Sequence, residues 1–360
     1  MSLNVAADTK ITLKTDLRYD NPLCNNVYQN IYYSAEEFSF GYEIETNGTL
    51  RRGTSIKFKI DMDSLIRVAG YFERDPVGVE KSPEVPNVFC GKRQAINQLI
   101  VNGVESKPGD WPWHVAIFRL ERDTLKYICG GTLVSNIFVL TAAHCVTING
   151  AAVLPENLGI SLGKHNLFGG DVGSQEKQVH QIIVHEEFMH KTLNNDIALL
   201  KMKSSVEYNS VVQPACIWFD KAEEKLPPGQ VLGKVTGWGL DQTESLSRVL
   251  REATMPMVQD IDCIRSKPSF YSVILNGKKF CAGHRNGTSA CNGDSGGGFF
   301  VYIPNEDSPF INNNGKGSWY VRGIVSIGVS RQDTKLCDPN EYVVFTDIAA
   351  YTGWIHDHMD

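Results

Sequence analysis

The sequence predicts an all-β fold that ends in one short helix. Thirty-two glycines support this prediction, because glycine serves the turns and bulges that join strands. From residue 90 onward, short apolar runs alternate with Gly, Asn, Asp and Ser, which is typical of strands and turns, and no long helical period interrupts them. Hydrophobic residues at 42% and charged residues at 21% are close to globular averages, so the composition excludes a disordered chain.

Three segments follow one another along the 360 residues, a length that predicts two domains or three. Residues 1–74 are predicted to form a small β-rich domain, because apolar and polar residues alternate over Ser55–Met62, behind the turn signal Asn47-Gly48. Residues 75–99 contain three prolines, which favour an extended linker. Residues 100–360 form the large β-rich domain.

The last element is predicted to be a helix over residues 347–359. Asp347 can cap its N-terminus, and Ile348, Tyr351 and Ile355 share one face. It is the one helix that the sequence predicts.

Charge, hydropathy and cysteine usage restrict the class of protein. With 35 basic and 41 acidic residues the net charge is −6, without basic blocks, so a nucleic-acid-binding protein is not expected. No apolar run approaches the roughly 18 residues of a membrane span. Nine cysteines without a C-x-x-C pair favour disulfides and an oxidising compartment, and Asn47 and Asn286 lie in glycosylation sequons. The first residues lack the charged and apolar regions of a signal peptide, so secretion is an inference from these features.

The chemical signal is the segment Gly293–Gly298, which places Ser295 in a glycine-rich turn. It is not a phosphate loop, because no Gly-Lys-Ser/Thr follows. The serine elbow of α/β-hydrolases is disfavoured, because only about 65 residues follow Ser295, too few for the strands still required. His144 and Asp196 lie upstream, so the order is His, Asp, Ser with gaps of 52 and 99 residues.

Over roughly residues 90–358 the sequence resembles the chymotrypsin-like (trypsin-fold) serine proteases. The segments that carry the resemblance, in family order, are Ile100–Gly103, Trp111–Val115, Thr141–Cys145, Asp196–Leu199, Gly237–Gly239 and Cys291–Gly297. The resemblance implies two six-stranded antiparallel β-barrels with a C-terminal helix, behind the small β-rich N-terminal domain.

The resemblance also implies a role for each residue of the set. Ser295 would be the nucleophile, His144 the base that accepts its proton, and Asp196 the acid that fixes the imidazole tautomer. The backbone N–H groups of Gly293 and Ser295 would form the oxyanion hole. A turn serine, a core histidine and a capping aspartate are each plausible alone, but not together in these segments.

Eight of the cysteines pair by the same resemblance. The implied disulfides are Cys90–Cys216, Cys129–Cys145, Cys263–Cys281 and Cys291–Cys337. Cys24 is left without an implied partner, and the bond to Cys90 would keep the upstream segment attached after a downstream cleavage.

Activation by proteolysis is a further implication. In the family, cleavage frees an ammonium that pairs with the aspartate before the serine, here Ile100 and Asp294. Because Ile100 is internal, the chain is predicted to be a zymogen, and Leu99 before the bond implies an activator that tolerates leucine, with the enzyme itself as one candidate. Lys92-Arg93 is a rival cleavage site, but cutting there leaves Gln94 as a poorly matching N-terminus.

The specificity pocket is expected to accept apolar, leucine-like residues. Ser289 would form its floor without a counter-charge for Lys or Arg. Ser326 and Gly328 would line it, and the residue between them is Ile rather than the usual Trp. Asn340 stands where the family has a pocket-lining Gly, which predicts a reshaped slot.

No cofactor and no metal are expected. Lys164 stands where calcium-binding relatives carry Glu. Three further histidines recur every five residues, a spacing that aligns neither a helix face nor a strand face, so loop positions are expected for His180, His185 and His190.

Two short segments, Asn21–Tyr28 and Cys337–Tyr342, resemble the gastrulation-defective-type proteases of insects. That resemblance implies a secreted cascade protease of immunity or development. Its partners would be a protein substrate such as a downstream zymogen, a cascade scaffold, and a serpin-type inhibitor. Residues 1–74 would then be either a module that docks on the scaffold or a pro-domain that keeps the zymogen soluble. The alternative is a catalytically silent binding protein on a protease fold.

Overall fold

A computed structural model divides the chain into two compact units, Met1–Pro86 and Asn87–Asp360. The residues it describes are 90–93, 104–219, 222–226, 229–240, 245–287, 289–290, 292–304, 317–331 and 336–359, with the backbone of five strands before residue 60. Most of the predicted linker, 75–99, lies outside them.

The first unit contains two small antiparallel sheets. Its strands are β1 (Ser2–Ala6), β2 (Thr9–Thr12), β3 (Tyr32–Ser34), β4 (Glu37–Thr46) and β5 (Thr49–Lys59). β1 pairs with β2, and β3, β4 and β5 form one sheet in that order. Thr46 lies opposite Thr49 across β4 and β5, which is where the sequence predicts a turn.

The second unit opens with a closed barrel. The strands along this part of the chain are β6 (Val104–Glu105), β7 (His114–Glu121), β8 (Thr124–Leu133), β9 (Phe138–Thr141), β10 (Thr147–Ile148), β11 (Ala151–Ala152), β12 (Leu158–Leu162), β13 (Gln175–Val184) and β14 (Ala198–Met202). Six of them close in the antiparallel order β12-β13-β14-β9-β8-β7, while β10 and β11 form a separate hairpin.

A second barrel follows. Its strands are β15 (Cys216–Ile217), β16 (Leu232–Gly237), β17 (Arg251–Val258), β18 (Lys279–Ala282), β19 (Gly298–Pro304), β20 (Gly317–Gly328) and β21 (Val343–Asp347). The order β20-β19-β16-β17-β18-β21 closes because β21 also pairs with β20. β15 adds a parallel strand to β20, and β6 joins β17. The prediction of two six-stranded antiparallel barrels is confirmed.

Aromatic side chains contribute to the core of the second barrel. Trp111 stacks on Phe300 with ring centroids 5.5 Å apart, and Phe280 stacks on Phe345 at 5.2 Å. Such rings combine large buried areas with favourable offset geometry, so they stabilise this barrel. The loops at the junction of the barrels are therefore held on a rigid base.

Three α-helices occur among the described residues: α1 (Asp260–Ser266), α2 (Pro268–Ile274) and α3 (Thr352–Met359). The sequence analysis did not predict α1 and α2, because two turns are too short to show a helical period. No helix among the described residues is long and apolar enough to cross a membrane.

The C-terminal helix is confirmed, but its predicted start is wrong. Asp347 ends β21 and accepts a hydrogen bond from the Ala349 N–H at 2.9 Å, so it caps a single 3-10 turn and α3 begins only at Thr352. The predicted apolar face exists, since Tyr351 and Ile355 are buried in the core.

Candidate active site

Two neighbouring strands of the first barrel bring His144 and Asp196 together. β9 and β14 are antiparallel with Thr141 opposite Ala198. His144 lies in a 3-10 turn just after the end of β9, and Asp196 lies two residues before β14 begins. The register of this strand pair therefore sets the two side chains side by side.

The carboxylate of Asp196 holds His144 in two ways. Oδ2 lies 2.8 Å from His144 Nδ1, and Oδ1 accepts from the His144 backbone N–H at 2.9 Å. Because the carboxylate is an acceptor, Nδ1 carries the proton and Nε2 is left as the basic nitrogen.

The second barrel completes the surroundings of Asp196. Ser326 on β20 donates its hydroxyl to Oδ2 at 2.6 Å, and Thr346 on β21 donates to the Asp196 carbonyl at 2.9 Å. The side chain of Asp196 is fully buried. The sequence analysis assigned Ser326 only to substrate binding and missed Thr346, because no motif marks contacts between distant strands.

Charge and burial act in opposite directions on this pair. Burial of His144 lowers its pKa, but the charge of Asp196 and the hydrogen bond to it prevail, so the net pKa is raised. Burial of Asp196 raises its pKa, but the charge of His144 and the hydrogen bonds from His144 and Ser326 hold it below its usual value. The carboxylate therefore stays ionised at neutral pH, and the pKa of the imidazole lies above its usual value.

Ser295 lies in a loop of the second barrel that packs tightly on the first. Gly130 on β8 donates its N–H to the Ser295 carbonyl at 2.8 Å. Gly296 has φ +76°, and a Cβ there would overlap the Thr141 hydroxyl and come within 3.1 Å of the Cys145 sulfur. Only glycine fits this position, and the close approach places Ser295 beside the turn that carries His144.

The predicted oxyanion residues lie in the same loop. Gly293 has φ +98°, and within the described part of the chain neither its N–H nor that of Ser295 has a hydrogen-bond acceptor. Tyr127, which the sequence analysis missed, donates its hydroxyl to the Gly293 carbonyl at 2.6 Å. Burial and the charge of Asp294 raise the pKa of Tyr127, so its hydroxyl stays protonated as a donor. Two N–H groups thus remain available for a developing oxyanion.

A cavity of about 180 Å³ opens beside Ser295. Its lining residues are Ala290, Asn292, Ser295, Val325, Ser326, Ile327, Gly328, Ser330, Cys337 and Val343. Ser326 and Gly328 thus lie where the sequence predicts them. Ser289 and Asn340 lie outside this lining, and Asn340 is exposed, with its carbonyl accepting from Arg285 at 2.9 Å.

Three disulfides join Cys90 to Cys216, Cys129 to Cys145 and Cys263 to Cys281. Cys291, the predicted partner of Cys337, lies outside the described residues, as do Leu99 and Ile100. Asp294 is described, and its Oδ1 accepts from the Gly239 N–H at 2.8 Å.

The short segment 90–93 is docked on the second barrel. Gly91 donates to the Pro214 carbonyl at 2.7 Å, and Lys92 Nζ donates to the Gly317 carbonyl at 2.6 Å. The Arg93 guanidinium lies 3.9 Å and 4.2 Å from the ring centroids of Trp111 and Trp319. Burial lowers the pKa of Arg93 to about 10, opposed by nearby acidic groups, so the side chain stays charged between the two indoles.

In the described part of the chain, one cluster has the spacing of metal ligands, namely Cys129, His144 and Cys145. Both sulfurs belong to one disulfide, so neither can act as a thiolate ligand. The predicted loop position is wrong for His180, which lies within β13. His185, which follows that strand, stacks on Trp354 with ring centroids 5.3 Å apart.

Comparisons with known proteins agree with this geometry. The trypsin family model matches residues 100–355. Chymotrypsin-C of Mus musculus is 38% identical over 266 residues, which cover 73% of this chain and 90% of that protein. Clotting factor G beta subunit of Tachypleus tridentatus is 30% identical over 275 residues, 74% of this chain and 82% of that protein. Serine protease gd of Drosophila melanogaster is 30% identical over 281 residues, 69% of this chain and 50% of that protein.

Proposed function

The chain belongs to the trypsin family of serine proteases and is a chymotrypsin-like endopeptidase, and we propose that Ser295 is its nucleophile, His144 its general base and Asp196 the acid that orients the base. The observation that carries this proposal is the pair of hydrogen bonds that the buried Asp196 carboxylate accepts from the ring and the backbone N–H of His144. They leave Nε2 free to accept a proton from a hydroxyl.

In the proposed reaction these groups act in sequence. Ser295 Oγ attacks the peptide carbonyl carbon while its proton passes to His144 Nε2, and the carbonyl oxygen becomes an oxyanion facing the N–H groups of Gly293 and Ser295. Breaking the C–N bond releases the amine, which takes the proton from His144. Water then attacks the acyl carbon while one of its protons passes to His144; the bond between that carbon and Ser295 Oγ breaks, the carboxylic acid product leaves, and His144 returns the proton to Oγ.

The proposed substrates carry an apolar, leucine-like residue before the scissile bond. Ala290, Val325, Ile327 and Val343 supply apolar surface to the cavity beside Ser295. Among the described residues that line it none is charged, so these residues offer a buried Lys or Arg no counter-charge. Ser289 and Asn340 would act from outside this lining.

We also propose that the chain is a zymogen activated by cleavage between Leu99 and Ile100. The new ammonium of Ile100 would pair with Asp294, whose carboxylate already accepts from Gly239 beside the oxyanion loop. The docked segment 90–93 argues against the rival site after Arg93, because that side chain is held between two indoles and is not presented to a protease.

Secretion and a cascade role complete the proposal. Three disulfides are typical of an oxidising compartment, and two relatives are named serine protease gd and clotting factor G beta subunit. A downstream zymogen is the proposed protein substrate, with a serpin-type inhibitor and a scaffold that docks residues 1–74.

Fluorophosphonate labelling tests this proposal. The purified chain is labelled before and after limited proteolysis, the product's N-terminus is sequenced, and Ser295→Ala serves as the control. Labelling of Ser295 only after Ile100 becomes an N-terminus is the expected result. Labelling of the uncut chain would refute the zymogen, and a chain that begins at Ile100 yet takes no label would favour a silent binding protein.

A further inference from the structure

Lys279, the first residue of β18, is a charged side chain buried in the second barrel. It is only 3% exposed, which is rare for lysine because removing an ammonium from water is costly. Its Nζ donates to the Thr192 carbonyl at 3.2 Å. The residue has no role in the reaction as described above, so its burial needs another explanation.

The register of the second barrel places Lys279 behind Asp196. Lys279 lies directly opposite Thr346 across β18 and β21. Thr346 in turn donates its hydroxyl to the Asp196 carbonyl. The ammonium and the carboxylate interact electrostatically: burial lowers the pKa of Lys279, and the negative charge of Asp196 counteracts this.

The loop that carries Asp196 has a strained backbone. Leu193 has φ +53° and Asn195 has φ +52°, a left-handed conformation that is costly for a side chain such as leucine. Such a loop persists only when its surroundings hold it. Lys279 holds its start at Thr192, and the Tyr351 hydroxyl donates to Asn195 Oδ1 at 2.9 Å near its end.

Building on the catalytic roles proposed above, we propose that Lys279 is a positioning residue for Asp196. Its ammonium fixes the loop 192–196 through the Thr192 carbonyl and places a buried positive charge behind the carboxylate. The positive charge opposes protonation of His144, so the base remains neutral at lower pH than the Asp196 charge alone would allow.

The other titratable groups near Lys279 and Asp196 occupy different positions from Lys279. Lys278 is exposed and reaches Asn195 Oδ1 at 3.3 Å from the outside. Tyr351 and Glu187 also lie near the loop. Burial, together with the charges of Asp196 and Glu187, raises the pKa of Tyr351, so its hydroxyl is neutral at the pH of the assay. Lys279 is therefore the buried positive charge on this side of Asp196.

The test compares the processed wild-type enzyme with Lys279→Met, Lys279→Gln and Lys279→Arg. The pH dependence of kcat/KM is measured on a peptide with leucine before the scissile bond, and active sites are counted by fluorophosphonate labelling. In Lys279→Met, which lacks the charge, the acidic limb of the kcat/KM profile should move to higher pH by about 0.5–1 unit, and kcat should fall about tenfold. Lys279→Gln keeps a donor for Thr192 without the charge, so it should shift the limb with a smaller loss of kcat, and Lys279→Arg should keep the wild-type limb.

Lys203→Met is the matched control, because Lys203 is an exposed lysine whose Nζ contacts only Gln178 Oε1 among the described residues. It should leave the pH profile unchanged. If Lys279→Met does not fold, the position of the acidic limb in Lys279→Gln tests the inference in its place. An unshifted limb in the charge-free variants overturns the inference, while an inactive wild-type enzyme would overturn the proposed function instead.

Discussion

His114 makes the stability of the second unit depend on pH. It lies on β7 with 1% exposure, its Nδ1 is 3.0 Å from the Thr236 hydroxyl on β16, and its ring is 4.9 Å from that of Trp238. Nε2 has no hydrogen-bond partner among the described residues. Burial lowers the pKa of His114 to about 3, so the native imidazole is neutral and takes up a proton only when the chain unfolds.

The size of the effect follows from the two pKa values. Between the native pKa of about 3 and the usual unfolded value of about 6.5, the unfolded chain binds the extra proton, so stability falls as pH falls through this range. This one group should reduce the free energy of unfolding by about 2 kcal/mol between pH 7 and pH 5, and by about 3 kcal/mol between pH 7 and pH 4. His114→Gln cannot take up that proton. Its free energy of unfolding should therefore fall by about 2 kcal/mol less than that of the wild type between pH 7 and pH 5, and by about 3 kcal/mol less between pH 7 and pH 4.

Urea unfolding followed by tryptophan fluorescence measures this difference. Both proteins carry Ser295→Ala to prevent self-digestion, and the free energy of unfolding is determined at pH 7, 5 and 4. His356→Gln, at an exposed position on α3, is the control and should follow the wild type. Equal pH dependence of His114→Gln and the wild type would refute the reasoning.

Three other substitutions test contacts around the site. Trp319→Leu removes one of the two indole rings that hold Arg93, a contact between guanidinium and ring that is worth about 2 kcal/mol when desolvated. Trypsin should therefore cut after Arg93 about 30-fold faster, as measured by mass spectrometry, and an unchanged rate would show that the indoles do not protect this site. Tyr127→Phe loses the hydrogen bond to the Gly293 carbonyl and should lower kcat about three- to tenfold without a matching change in KM, whereas an unchanged kcat would remove Tyr127 from the oxyanion loop. Asp294→Asn keeps an acceptor for its backbone donor but loses the charge, so the processed protein should lose at least about a hundredfold in kcat/KM, and full activity would exclude the ammonium switch.

The two barrels could be predicted through the resemblance, and the sequence also pointed to His144, Asp196 and Ser295 as the candidate catalytic set. Each of these residues lies in a short segment whose residue types serve one chemical purpose, so the segment can be recognised without knowledge of distant contacts. The closed order of strands could be predicted only through the resemblance, because alternation along a strand does not reveal its neighbours.

Residues that support the site from a distance could not be predicted. Tyr127 and Thr346 act through single hydrogen bonds to backbone carbonyls more than a hundred residues away, and Lys279 is read from the sequence as an ordinary surface lysine. In the sequence Arg93 is half of a dibasic cleavage signal, whereas in the structure its packing between two indoles holds the segment 90–93 on the second barrel. In each case the tertiary environment, and not the residue type, determines the role.

The position of Asp196 between the barrels also bears on how the protein is made. All six strands of the first barrel leave the ribosome before Ser326 and Thr346 have been synthesised, and domains generally fold in that order. A first barrel that closes early would lack the donors that the second barrel supplies, the Ser326 hydroxyl to the Asp196 carboxylate and the Thr346 hydroxyl to the Asp196 carbonyl. The nascent half therefore gains its full stability only when the second half folds against it, and an incomplete chain is left exposed to chaperones and proteases.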